Sequence, residues 1–365
     1  MAQLYNFSGS VGTFPLSVIE EVQRGLRELP GVGISILGLS HRSNEFNHIL
    51  EEAEENLRRL LGIPGHYRVL FLQGGASLQF SMIPINLLRS RNRPANYIVT
   101  GYWSQKPVEE GKREGRARVV WDGSAEGFVR TPRQNELDVD SDAVYLHYCS
   151  NETVEGVQFA VMPEAGGVPL ICDMSSDFLS QPFDIERYAL VYAHAQKNLG
   201  PSGLTVVVIR EDLLNDIPDG VHTMLDYRPH VQMRSVYNTP PIFCIYTAML
   251  MTRWLLHDVG GLEHMARLNL RKAPLIYDVI DQSRGFYRGH ARPESRSLAN
   301  VVFHLSDASL ENRFLADAKS RGLLGLNGHR SLGGMRASFY NPMPVEGAHA
   351  LRDFMLEFAW EYRKP

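Results

Sequence analysis

The apolar positions fall into two alternating patterns. After Pro15, a residue suited to the first turn of a helix, Leu16, Ile19, Val22, Leu26 and Leu29 recur at spacings of three and four. That rhythm predicts a helix with one apolar face. A second stripe follows Ser43-Asn44 and carries Phe46, Ile49, Leu50, Ala53, Leu57, Leu60 and Leu61. Glu54 with Arg58, and Glu55 with Arg59, stand four apart on its polar side, where opposite charges support a helix. Short apolar runs then appear at 69–72, 97–100, 144–148, 169–172, 189–193 and 205–209, bounded by turn residues. Runs this short and this apolar, with helical segments between several of them, predict the buried strands of a largely parallel sheet, hence an α/β fold.

Beyond about residue 260 the pattern changes. Residues 262–280 read as one long helix, 300–305 as a strand, 311–321 as a helix, 335–340 as a strand and 345–362 as a terminal helix. These elements predict a smaller α+β unit beside the main sheet. Val259-Gly260-Gly261 offers a turn between the two. We therefore expect a large domain over 16–260 and a small one over 261–365, the latter together with residues 1–15.

Composition narrows the function classes. The 365 residues are 44% apolar and 21% charged with a net charge of −4, so a core is available and the basic excess of a nucleic-acid binder is missing. The three cysteines form no CxxC pair, which suits a reduced cytoplasmic protein better than a disulfide scaffold. The longest apolar stretch, near 242–251, is far short of the roughly 20 residues that span a membrane. The first ten residues lack the basic and apolar regions of a secretory signal. Thirteen histidines show no clustered ligand spacing, so no metal site is expected.

Candidate chemistry sits at predicted strand ends. Lys197 lies in Ala195-Gln196-Lys197-Asn198-Leu199-Gly200 between two strands. A lysine among apolar and small residues is desolvated, which lowers its pKa and frees an amine for Schiff-base chemistry; a loop lysine reaching solvent is the plain alternative. Asp173 ends the 168–172 run. A carboxylate there can keep the ring nitrogen of pyridoxal phosphate protonated, or simply cap a helix. Gln73-Gly74-Gly75-Ala76-Ser77 joins a strand to a helix, where backbone N–H groups converge on an anion. Neither GxGxxG nor a Walker lysine is present, so phosphate without a dinucleotide is indicated. Trp103 follows a strand and can stack on a flat ring. Asn238 and Thr239 lie in a loop stiffened by Pro240-Pro241. Phosphate loop, ring, acid and lysine in this order match the fold-type I enzymes of pyridoxal phosphate.

The chain resembles the phosphoserine aminotransferase family of class V aminotransferases over essentially its whole length. The resemblance rests on Ser40-His41-Arg42, His147-Tyr148-Cys149 with Asn151-Glu152-Thr153, Ala195-Gln196-Lys197-Asn198, Asn238-Thr239-Pro240-Pro241, and Gly328-His329-Arg330 with Gly333-Gly334-Met335-Arg336-Ala337-Ser338. It implies an aspartate-aminotransferase-like α/β fold with a mainly parallel seven-stranded sheet. It implies that Lys197 is catalytic and carries pyridoxal 5'-phosphate. Asp173 would pair with the pyridinium, Trp103 would stack on the ring and Thr153 would bond near the ring oxygen. Ala76, Ser77 and Gln196 would hold the phosphate. Asn238 and Thr239 would reach it from a neighbouring subunit, making a homodimer.

For substrate, the resemblance gives Arg336 the α-carboxylate and His41, Arg42 and His329 the distal anion. The implied reaction exchanges an amino group between glutamate/2-oxoglutarate and 3-phosphohydroxypyruvate, giving 3-phosphoserine; the 4-phosphohydroxythreonine step of pyridoxine synthesis is a second family role. Two positions depart from the family pattern: Ser77 stands for an arginine, and Gly9-Ser10-Val11-Gly12 for Ser-Gly-Pro-Ala. They leave open a related transaminase acting on another acidic 2-oxo acid. A desulfurase would need a mobile catalytic cysteine, and none of the three sits in a Gly/Ser-rich loop. A cofactor-binding protein without catalysis is the remaining alternative.

Overall fold

In a computed structural model, residues 3–363 are described. A seven-stranded sheet forms the centre of the larger part. Its strands are β1 (Tyr67–Leu72), β2 (Ala95–Val99), β3 (Ala117–Asp122), β4 (Leu146–Cys149), β5 (Leu170–Asp173), β6 (Leu190–His194) and β7 (Thr205–Arg210). They lie in the order β1-β7-β6-β5-β4-β2-β3. Six strands are mutually parallel, and β7 runs against both of its neighbours. The reason is chain length. Only residues 195–204 separate β6 from β7, too few for the dozen or more that a parallel crossover needs. The chain turns back instead, and Lys197 sits in that turn.

Both faces of the sheet are covered. Val69, Phe71, Val191, Ala193, Val206 and Val208 point to a core shared with α1 (Leu16–Arg27), α2 (Asn44–Leu61) and a later apolar helix, Ile242–His257. Leu70, Leu72, Tyr192, Val207 and Ile209 point the other way, against α3 (Gly75–Leu87). The alternation follows from the two-residue period of a strand. Helix α2 follows its sequence signals closely. Ser43 accepts from the Phe46 N–H at its start, Gly62 closes it at φ +62, and Arg58 Nε bonds Glu54 at 2.9 Å.

The predicted helix over 262–280 is two helices, Leu262–Asn269 and Ala273–Gln282. Pro274 lies in the first turn of the second, and a proline with no N–H cannot continue the preceding helix. Leu262 and Met265 pack into the core around the large sheet, whereas Ala273, Ile276 and Ile280 open a separate one. This second core is aromatic. Phe303, Phe314, Phe354 and Phe358 fill it between a three-stranded antiparallel sheet and the terminal helix Val345–Tyr362. Phe7 also lies in it, and Tyr5–Asn6 pairs in parallel with Leu323–Leu324.

Two large-sheet features escaped the sequence pattern. β3 is an edge strand with half-exposed side chains, so it shows no apolar run. The helix α4 (Tyr102–Glu114) carries few apolar residues, and a Cβ would collide with its neighbours at Gly111 within it and at Gly101 just before it.

Candidate active site

The C-terminal ends of β1, β2, β4, β5 and β6 and the β6–β7 turn converge on one cavity of about 290 Å³. Its wall includes Ala76, Ser77, Trp103, Thr153, Asp173, Gln196, Lys197, His329 and Arg336. Nine predicted site residues are thus brought together, from segments more than 250 positions apart.

Lys197 is 6% exposed. Its Nζ donates to Thr153 Oγ1 at 2.6 Å and to Ser176 Oγ at 2.9 Å, with no carboxylate bonded to it. Burial is the main influence and pulls the amine down to about 8, with Asp173 opposing it. At pH 7 about one such lysine in ten is neutral, against about one in three thousand at an ordinary pKa. Asp173 is also buried. Ser175 N–H donates to its Oδ1 at 2.8 Å. Desolvation pushes the carboxyl up, and the Ser175 bonds and Lys197 hold it back.

The turn before α3 is an anion cradle by construction. Gly74 adopts φ +93, where a Cβ would lie 2.5 Å from Leu78. The helix then starts at Gly75, so the N–H groups of its first turn, Ala76 and Ser77 included, have no intrahelical acceptor. Trp103 is fixed differently. Two buried carboxylates cap α4: Glu152 accepts from the N–H groups of Trp103 and Ser104 at 3.0 and 2.9 Å, and Glu155 from Tyr102 at 3.0 Å. Acidic groups at a helix N-terminus meet its positive end. Glu155 Oε2 is left without a partner, and burial with Glu152 beside it raises this carboxyl to about 8.

Arg336 comes from the three-stranded sheet and crosses to the large one. Its Nη1 donates to Thr153 O at 3.1 Å, while Nε is buried and unpartnered. Burial lowers its pKa. The N-terminal segment lies beneath it. A Cβ on Gly9 would sit 2.4 Å from Arg336 Cζ, and one on Gly12 would sit 1.9 Å from Lys197 O. Gly12 N–H donates to Gln196 O at 2.8 Å. These two glycines, noted in the sequence only as departures from a family pattern, are therefore sites of close approach. His329 packs its ring 5.0 Å from Tyr102.

Four predicted residues lie elsewhere. His41 is half-buried and Arg42 exposed, and neither reaches the cavity. The expected cluster of His41 and Arg42 with His329 and Arg336 is not formed within one chain. Their segment, turned out before α2, is anchored by local bonds such as Arg42 N–H to Ser40 Oγ at 3.2 Å. Asn238 bonds Gln73 Oε1 at 2.9 Å and Thr239 is exposed; both also stand off the cavity. The sequence reading missed Ser10, Asn151, Ser176 and His194, which do line it. Ser176 could have been found from its place just after Asp173.

Pyridoxal phosphate can be tested against this lining. It needs an amine, an acid for its ring nitrogen, a ring cover and donors for a dianion. Lys197, Asp173, Trp103 and the first turn of α3 supply one each, and the orphaned Nε of Arg336 shows donor capacity not spent within the protein. The residues fit.

Comparison with known proteins agrees with that chemistry. Residues 4–351 match the family model of class-V aminotransferases. The chain is 51% identical over 356 residues to the phosphoserine aminotransferase of Laribacter hongkongensis, covering 98% of each chain. The solved phosphoserine aminotransferase from Bacillus circulans subsp. alkalophilus superposes with a TM-score of 0.95 at 46% identity, over 98% of this chain and 99% of that one. A PLP-bound phosphoserine aminotransferase from Trichomonas vaginalis gives 0.91 at 36% identity, over 97% and 100%. With the strand order, the buried amine and this full-length likeness in agreement, the chain belongs to the class-V aminotransferase family, on its phosphoserine aminotransferase branch.

Proposed function

We propose that the chain is a pyridoxal phosphate-dependent transaminase of serine biosynthesis. It exchanges an amino group between glutamate/2-oxoglutarate and 3-phosphohydroxypyruvate, giving 3-phosphoserine. The observation that carries this reading is the Lys197 amine, buried, depressed to about 8 and held only by hydroxyls at a cavity that also receives Asp173 and Arg336. Relatives that are about half identical over the full length favour phosphoserine over a different 2-oxo acid, despite Ser77 and the Gly9–Gly12 segment.

When bound, the cofactor supplies an aldehyde that accepts an amine and a ring that withdraws electrons. Lys197 would hold it covalently and, once displaced, would take and return the proton at the substrate Cα. Thr153 and Ser176 orient its Nζ. Asp173 would hold the proton of the ring nitrogen, and Trp103 would cover one ring face. Ala76, Ser77 and Gln196 would hold the phosphate. Arg336, with Nε free, would bind the α-carboxylate in the two-pronged geometry that suits guanidinium, and His329 the distal anion.

The residues off the cavity lead us to propose a homodimer. Asn238 and Thr239 would complete the phosphate site of the neighbouring subunit, and the outward-facing His41 and Arg42 its distal-anion site. We treat 16–260 and 261–365 with 1–15 as the two working domains, with the helix Leu262–Asn269 resting on the larger core. No helix among the described residues is long and apolar enough to cross a membrane, and three buried free cysteines support a cytoplasmic setting. The test is a half-reaction assay. Glutamate should bleach the cofactor's absorbance band, and 3-phosphohydroxypyruvate should restore it faster than other 2-oxo acids. A protein that binds no cofactor, or prefers a non-phosphorylated acid, ends this reading.

A further inference from the structure

His194 closes β6 and has no role in the chemistry above. Leu190, Tyr192 and His194 share one face of that strand. Tyr192 meets Phe80 of α3 edge-on, with ring centroids 6.3 Å apart. Ala76 lies one turn before Phe80, toward the start of α3, and His194 lies two residues beyond Tyr192, toward the end of β6. Both steps lead to the same corner, and Ala76, Ser77, Gln196 and His194 line the cavity there.

No side chain bonds the ring, and only its own backbone opposes the effect of burial on it. Its Nδ1 is buried with no partner, and so is Thr205 Oγ1 on the opposing residue of β7. A buried lone pair without a donor costs less than a buried N–H without an acceptor. The ring's proton therefore belongs on Nε2, which is not among the buried atoms left without a partner. Burial, together with the Lys197 charge, keeps the imidazole neutral, pulling it down to about 3. Lys197 is the charged group acting on it, and no carboxylate contributes.

We propose that His194 is a phosphate-binding residue, donating Nε2–H to the cofactor phosphate seated at the first turn of α3. This rests on reading the cavity as the pyridoxal phosphate site. It gives the cradle a side-chain donor at the corner where Ser77 contributes only a short hydroxyl.

The test compares two ligands on full-length protein freed of cofactor. His194→Leu keeps the bulk and removes the donor; His194→Gln keeps a donor. Each is titrated by absorbance with pyridoxal phosphate and with pyridoxal, and inorganic phosphate is used as competitor. The Leu variant should raise the Kd for pyridoxal phosphate roughly tenfold or more, the scale of one hydrogen bond to a charged group. It should leave pyridoxal within about twofold and weaken phosphate competition, and Gln should recover most of the affinity. Unchanged pyridoxal phosphate binding in the Leu variant overturns the role of His194 alone. So does an equal loss for both ligands, which would make His194 a packing residue of the ring pocket. A wild-type protein that binds no pyridoxal phosphate overturns the site reading as well.

Discussion

Lys197 and Lys272 are both buried, at 6% and 1% exposure, and burial pulls both amines down, to about 8 and about 7. Their surroundings differ. Lys197 Nζ is held by two hydroxyls that can each donate or accept, and it opens on a cavity. Lys272 Nζ donates to Asn269 Oδ1 at 2.9 Å, Asn341 O at 3.0 Å and Tyr340 O at 3.4 Å. Three acceptors match the three protons of an ammonium, and Lys272 is not among the residues lining the active-site cavity. Lys272 sits at the break between the helices on the two cores. Asn341 beside it also donates its backbone N–H to Asn198 Oδ1 at 2.9 Å, next to Lys197. A depressed pKa is thus shared by an amine that opens on a cavity and by a structural clasp. What separates them is exchangeable partners and access.

The strongest way to break this comparison is to exchange the outcomes of the two lysines. Lys197→Ala should cut transamination at least a thousandfold with an unchanged thermal midpoint, and borohydride trapping in the wild type should place the cofactor's mass on the Lys197 peptide and not on Lys272. Gly12→Ala comes next. Its Cβ would collide with Lys197 O, so the lysine turn must shift. Turnover should fall about a hundredfold, the scale of a misplaced reacting group, while far-ultraviolet circular dichroism stays the same. Arg336→Lys loses the planar fork and should raise the KM for glutamate about ten- to hundredfold, read by steady-state kinetics.

Lys272→Met should act on stability instead. Leaving buried carbonyls without a donor costs about 2–4 kcal/mol, measured by denaturant unfolding, with the Lys197 half-reaction retained. The smallest effect is its pH dependence. The folded pKa of Lys272 lies below the unfolded one, so the unfolded chain binds more protons between about pH 7 and 10 and wild-type stability rises with pH there. Methionine does not titrate. The deficit of the variant should therefore shrink as the pH is lowered from 9 to 7; a constant deficit would mean that Lys272 stays charged in the folded protein.

Much of the fold was legible because burial on a regular element leaves a period. The stripe after Ser43 and the six strand runs lie close to where the pattern put them, and α1 forms as expected, but its stripe does not mark burial: Leu16, Ile19 and Leu26 are exposed while Val18 and Gly25 are buried. The break at 270–272 was not legible, because apolar spacing continues across it and only Pro274 and the buried Lys272 mark it. Edge strand β3 was hidden for the opposite reason, having little to bury. At the site, Lys197, Asp173 and the Gly74-Gly75 turn stood out as chemistry at strand ends. His194 did not, since a histidine ending a strand carries no pattern and becomes informative only when its partners are seen to be absent.

The sequence by itself determined the α/β class and the family and singled out Lys197, Asp173 and the Gly74-Gly75 turn as candidates, since these depend on residue type and local order. Only the tertiary structure decided which distant residues share the cavity. It brought Gly9 and Gly12 under Arg336 and Lys197, and it turned His41, Arg42, Asn238 and Thr239 away. The physical reason is that close approach and burial are properties of segments far apart in the chain. A missing Cβ, an unpartnered nitrogen or an outward-facing arginine gains its meaning from the surface packed against it.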